Sequence, residues 1–246
     1  MAFCVSPKIV RAFLNPANFQ RVDTALKPMF KVIAAAVALA APIAATSTPA
    51  LAANPAQSII INGKVQDYGP LAALIGTWKT VPSTGVDVAP GQTGSDVGKG
   101  GKAVSPFYEI ITITPNIPDT NNSAQPLISV FYHQAIYRTT NNHHFHDQIG
   151  YLTYDKTNNL VYDTSCVPRA VCFVAEGRAG NTMTLTTKSQ GIAQTQYMVH
   201  NDSTNSVKIT LAVSGNTLKY KYETHLFVYG KPFDHTDEDT LTKVSD

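Results

Sequence analysis

The side chains with the greatest capacity for chemistry gather in two places. Near the C-terminus His235 stands among acids in the run FDHTDEDT, with Asp234 beside it and Asp237 two residues on. A carboxylate that holds one imidazole nitrogen fixes the tautomer and aims the ring, so such a histidine can serve a metal. The same spacing also suits a solvated surface turn that His235 merely caps. The second group is His143, His144 and His146, with His133 on the preceding apolar segment. Histidines on neighbouring strands could take zinc. Solvated loop histidines are the plainer reading, since neither a cysteine nor an obviously paired acid accompanies them. Residues 234–239 lack the alternating ligands and central glycine of a calcium loop. No Gly-x-Ser-x-Gly context, phosphate loop or dinucleotide fingerprint occurs, and GKGGK at 98–102 has no strand-to-helix setting. An ordinary hydrolase or NAD enzyme is therefore not expected.

These histidines need a sheet to position them. Leu218, Tyr220, Tyr222, Thr224, Leu226 and Val228 alternate along one face and climb to Gly230-Lys231-Pro232. That period of two predicts a long strand with one buried face. A lone hairpin cannot bury such a face. The hairpin is therefore expected to close a β-barrel. His235 is placed in an acidic turn at its mouth, ahead of a short closing segment at 240–244. Upstream, residues 106–115, 126–138 and 143–155 read as strands, followed by LVYDTSC, VCFVAEG, NTMTLTTKS, AQTQYMVH and SVKITLAVS. No amphipathic helical stretch of useful length follows residue 80. The expected fold is all-β: a closed antiparallel up-and-down barrel of about ten strands, with a short helical turn at GPLAAL before the first. Closure also removes sheet edges. Trp78, the single tryptophan, either plugs the closed end or is an ordinary core aromatic. Residues 81–103, rich in Gly, Ser and Pro, are expected to form a long loop. Tyr132, Tyr151, Tyr220 and Tyr222 suit a pocket for a flat hydrophobic molecule, or simply fill the barrel. Cys166 and Cys172 flank Pro168-Arg169-Ala170 symmetrically, which permits a cross-strand disulfide or two small buried hydrophobes.

Composition narrows the class. The chain has 246 residues, a formal charge of +2 and 15% charged residues, with no basic stripe that would mark a nucleic-acid binder. Three cysteines are too few for a disulfide framework and lack metal-knuckle spacing. Lys27 and Lys31 precede the apolar run VIAAAVALAAPIAA, and Ala50 and Ala52 supply an A-x-A site. Residues 1–52 are thus expected to be an extension and signal peptide, with Met29 a possible start and cleavage before Ala53. The run is too short, and too interrupted by Pro42, for a comfortable membrane span. Residues 53–68 form a leader and 69–246 the ligand-binding barrel, a periplasmic or secreted protein.

Four pieces in order carry a resemblance: LAALIGTWKT, FYEIITI with PLISVFYHQAIYR, FHDQIGYLTYD, and LKYKYETHLFVYGKPFDHTDEDTLTK. Together, over residues 69–244, they resemble the nitrobindin family of haem-binding β-barrels, whose fold is similar to that of lipocalins and fatty-acid-binding proteins. The resemblance implies haem b as cofactor, His235 as proximal ligand to iron, and His146 on the distal rim. Trp78 and Gly76 match its entry motif. It also implies nitric-oxide or peroxynitrite chemistry. The chain departs from the family pattern at Thr80-Val81-Pro82 and at Gln148. A non-catalytic carrier of a fatty acid or another apolar molecule is the alternative in the same cavity, and a structural barrel with a filled core is a third.

Overall fold

The computed structural model describes residues 58–61, 63–116, 120–122 and 125–246. The chain divides into two units, 1–49 and 50–246. The expected signal peptide, its cleavage site at Ala53 and the alternative start at Met29 lie outside the described residues. The second unit opens with a small hairpin, β1 (Ser58–Ile61) and β2 (Lys64–Asp67), within the stretch expected to be a leader. A 3-10 helix, Gly69–Leu74, follows with Pro70 in its first turn. The barrel strands are β3 (Gly76–Thr80), β4 (Gly85–Pro90), β5 (Lys102–Pro115), β7 (Gln125–Arg138), β8 (His144–Asp155), β9 (Leu160–Val167) and β10 (Val171–Arg178). After them come β11 (Thr182–Gln194), β12 (Asp202–Ser214), β13 (Thr217–Val228) and β14 (Lys231–Ser245). A short β6 (Thr120–Asn122) adds to the edge of β7.

Every pairing is antiparallel, and β14 returns to β3 and β4, which pair with β5, which pairs with β7. The sheet closes on itself. β3 and β4 together fill one position of the ring and split around residues 81–84, while β5 and β7 through β14 fill the other nine. The alternation read from residues 218–228 sets the inner face of β13.

Three expectations change, and one open alternative is decided. Residues 81–103 are not one loop, since β4 runs through them with Gly85 and Asp87 buried and Val86 and Val88 only partly so. Residues 231–239 are not a turn: β14 is continuous from Lys231, Pro232 lies inside it, and Asp239 is buried. Repeated acids hide a strand because only their outward members meet water. AQTQYMVH is not a strand throughout. It contains a short helix, α1 (Gln196–Asn201), whose first turn is capped by the Thr195 hydroxyl accepting from the Met198 amide at 3.3 Å. The cysteines do pair, Cys166 opposite Cys172 across β9 and β10, in a disulfide.

One end of the barrel is filled. Trp78 is fully buried with Tyr68, Leu71 and Leu74, and its indole donates to the Leu74 carbonyl at 2.7 Å. The 3-10 helix thus folds under the barrel as a floor, and truncating such a tryptophan costs about 3–5 kcal/mol. The opposite end is open.

Candidate functional site

His235 sits in mid-strand on β14, paired with Thr224 of β13, and its side chain lines a cavity of about 400 Å³ at the open end. Inward positions of β14 recur every second residue, so Asp237 faces the same way. Across the β4–β14 pairing Asp87 stands directly opposite Asp237. Two like charges facing each other across a sheet repel. Here a cation separates them: His235 Nε2 lies 3.2 Å from Asp87 Oδ1 and 3.2 Å from Asp237 Oδ2. The second oxygen of Asp87 accepts from Arg138 Nη1 of β7 at 2.8 Å.

This arrangement decides the charge of the ring. Burial works against a proton on His235, but hydrogen bonds and attraction from Asp237 and Asp87 prevail and raise its pKa to about 10. Burial likewise pushes Asp87 up, and His235 and Arg138 outweigh it, so that carboxyl falls below its ordinary range. The site is a fixed ion cluster, anchored to the wall by Arg138, which also lies over the Phe145 ring at 3.4 Å.

His146 of β8 lines the same cavity. Burial, the dominant cause, lowers its pKa, and the charge on His235 adds to the effect. The cavity therefore holds one charged and one neutral imidazole. Its walls carry Ile136, Phe173, Val207 and Leu226, and its mouth is bounded by Met198 of α1, Arg169 of the β9–β10 turn and Tyr229.

Below them lies a polar floor. Gln148 donates to Tyr132 at 2.7 Å and to Tyr222 at 3.0 Å, and Tyr132 donates to Asp163 at 3.2 Å. The Ser165 hydroxyl also donates to Asp163. Burial raises the Asp163 carboxyl to about 7, although these hydroxyls oppose the shift. On the other side of the floor Gln134 donates to Glu109 at 2.5 Å and to Tyr220 at 3.2 Å. Glu109 is buried and held well above the ordinary carboxyl range, first by burial.

The structure thus brings together four of the residues singled out from sequence: His235, His146, Tyr220 and Tyr222. Tyr132 is buried one layer deeper, in the floor. Tyr151 is not in the site. Gly150 and Leu152 face inward, so Tyr151 points out, where it is exposed and meets Phe131 edge-on. The zinc cluster is not assembled either. A bulge in β8 pairs Tyr137 with His144 and Ile136 with His146, so these two histidines do not share a face as plain alternation would have them. His133 and His144 instead approach Asp147 on the exposed surface, at 2.8 and 3.4 Å. Sequence reasoning missed Asp87, Arg138, Gln134 and Met198 as site residues. Only Asp87 carried a local signal, an acid flanked by two valines in VDV.

A protein-family model described as "THAP4-like, heme-binding beta-barrel domain" matches residues 67–243. Among solved structures, the chain is similar to the crystal structure of Rv2717c from M. tuberculosis, at 14% identity and a TM-score of 0.49, over 70% of this chain and 94% of that one. No curated protein matches.

Proposed function

The chain belongs to the THAP4-like haem-binding β-barrel family, and on that premise we propose that it holds ferric haem b through His235 at the open end of its barrel. The observation that carries this reading is the carboxylate-held histidine at the head of a ligand-sized cavity. A ligating imidazole usually gives its second N–H to an acceptor. Asp87 and Asp237 take Nε2 of His235, and among the described residues no hydrogen bond engages Nδ1. The cavity volume lies within the range of roughly 300–1,000 Å³ common for small-molecule sites. The residues therefore fit the group. Haem bound there supplies a ferric centre for nitric-oxide and peroxynitrite chemistry, the activity the family resemblance implies.

The chain's own residues divide the work. Asp87 and Asp237 orient His235, and Arg138 keeps Asp87 in place. Ile136, Phe173 and Val207 exclude water from one wall. His146 offers a neutral ring, able to donate or accept one hydrogen bond toward a small molecule in the cavity. Arg169 at the mouth, paired with Asp202 at 3.4 Å, can exchange that partner for a ligand carboxylate, which equally suits the second reading, a carrier of an anionic apolar molecule. Export is part of the proposal: the Cys166–Cys172 disulfide supports an oxidising compartment. Among the described residues no helix is long and apolar enough to cross a membrane.

Haemin titration followed by visible spectroscopy tests the proposal. A Soret band that is lost in His235→Ala and kept in His146→Ala is the expected result. Lipid co-purification without haemin uptake would establish the carrier instead.

A further inference from the structure

Beneath the main cavity lies a second, smaller chamber of about 40 Å³ that no ligand reading above uses. Its surface is mostly apolar, from Leu74, Ile111, Ile113, Leu152, Leu211 and Leu218, and Tyr132, Gln134, Asp163, Tyr220 and Tyr222 complete the lining. It is separated from the main cavity by Gln134, Tyr220 and Tyr222, which line both spaces. The polar groups at its boundary are already engaged with one another. Gln134 donates to Tyr220 and Glu109, Gln148 donates to Tyr222, and Tyr132 donates to Asp163. A buried water needs two to four polar partners, and the polar side chains that line this chamber already spend their hydrogen bonds on one another, leaving mainly leucine and isoleucine surface. Apolar cavities of this kind stay dry and take small apolar guests.

We propose that this chamber is a binding site for one small apolar molecule, such as a diatomic gas or a xenon atom, reached through the Gln134–Tyr220–Tyr222 partition. The partition suits transient passage. Tyr220 and Tyr222 meet edge-on at 5.6 Å rather than interlocked, and a side-chain rotation that opens them breaks hydrogen bonds but no backbone pairing. The site depends on the barrel's packing alone and stands whether or not haem binds above it. In a haem-loaded protein it would hold a gas molecule one layer below the ligand cavity.

Xenon is the probe. The full chain, purified without haemin and with its Ile, Leu and Val methyl groups labelled, is placed under graded xenon pressure and followed by NMR. The expected result is a saturable shift of the Leu74, Leu152, Leu211 and Leu218 methyls, with Leu226 and Val228 of the main cavity unmoved. Leu211→Phe, at a half-buried position that tolerates added volume, should weaken the xenon response at least tenfold while leaving the spectrum folded. Should the phenylalanine prove disruptive, the wild-type methyl map alone decides. Shifts confined to Leu226 and Val228, no saturable shift, or long-lived water signals at the chamber methyls would each overturn the proposal. Haemin uptake is scored separately on the same samples, so the two readings fail independently.

Discussion

At the scale of single residues, the proton on His235 governs the site. Iron needs a ring nitrogen free of its proton, and metal binding to histidine releases that proton. The ring's pKa stands at about 10, so protons compete throughout the neutral range. Haemin affinity should therefore rise as pH rises, approaching about tenfold per unit below that value. Spectroscopic titrations between pH 6 and about 9 check it, and a flat profile would remove His235 from the iron. Replacing Asp237 by Asn withdraws one of the two charges that hold the proton. The pH profile should then shift downward, with affinity at pH 7 raised or held rather than lost. The inward tyrosines of β13 were legible in the sequence because strand alternation fixes the side each faces, whereas His235, expected in a turn, and His146 were marked by the resemblance. Asp87 was not legible, because its meaning depends on a partner 150 residues away in sequence.

Single elements carry two further predictions. The Cys166–Cys172 disulfide braces the β9–β10 turn that brings Arg169 to the mouth. Cross-linking so short a loop removes little unfolded-state entropy, and changing both cysteines to serine should cost about 2 kcal/mol in denaturant unfolding. The barrel should remain closed, since the eight register pairs of β9 with β10 persist. Gly76 at the start of β3 is more demanding. Its φ is +131°, and an added Cβ would lie 2.4 Å from the Ser245 carbonyl oxygen of β14. Gly76→Ala should therefore loosen the seam where the barrel closes and lower stability by about 1–3 kcal/mol, read as a fall in Tm. The entry motif Gly76-Thr77-Trp78 was recognisable in sequence; the reason for its glycine lies in the distant C-terminal strand.

For the molecule as a whole, buried acids set the pH range of stability. Asp163 has an ordinary pKa of 3.8 and is raised to about 7 in the fold, chiefly by burial. Between those values the native state keeps a proton that the unfolded chain has lost. Stability from this group is thus greatest at low pH and falls as pH rises from about 4 to 7, by up to about 4 kcal/mol. Asp163→Asn can still accept from Tyr132 and Ser165, so it should flatten that slope and stabilise the protein more at pH 8 than at pH 5. Chemical denaturation at the two pH values decides. Export is checked at the same scale: mass spectrometry of secreted or periplasmic material should give an N-terminus near Ala53, and an intact cytosolic chain from Met1 would end that proposal.

Period-two alternation, frequent turns and the absence of long amphipathic helices determined an all-β barrel from sequence, because each strand must hide one face and leave no edge. The order of four short pieces also determined the family and marked His235 and His146. Tertiary structure alone decided that β14 is one unbroken strand, since its buried Asp239 is satisfied by hydroxyls of Thr80 on β3 and Thr84 in the turn after it. It alone separated His144 from His146, through a bulge in β8 set by pairing with β7. It alone set Asp87 opposite Asp237, where ring closure brings the first strands of the barrel beside the last. Alternation is a local property of the chain, whereas which charges meet across a closed sheet depends on register, and register is settled only when the ring closes.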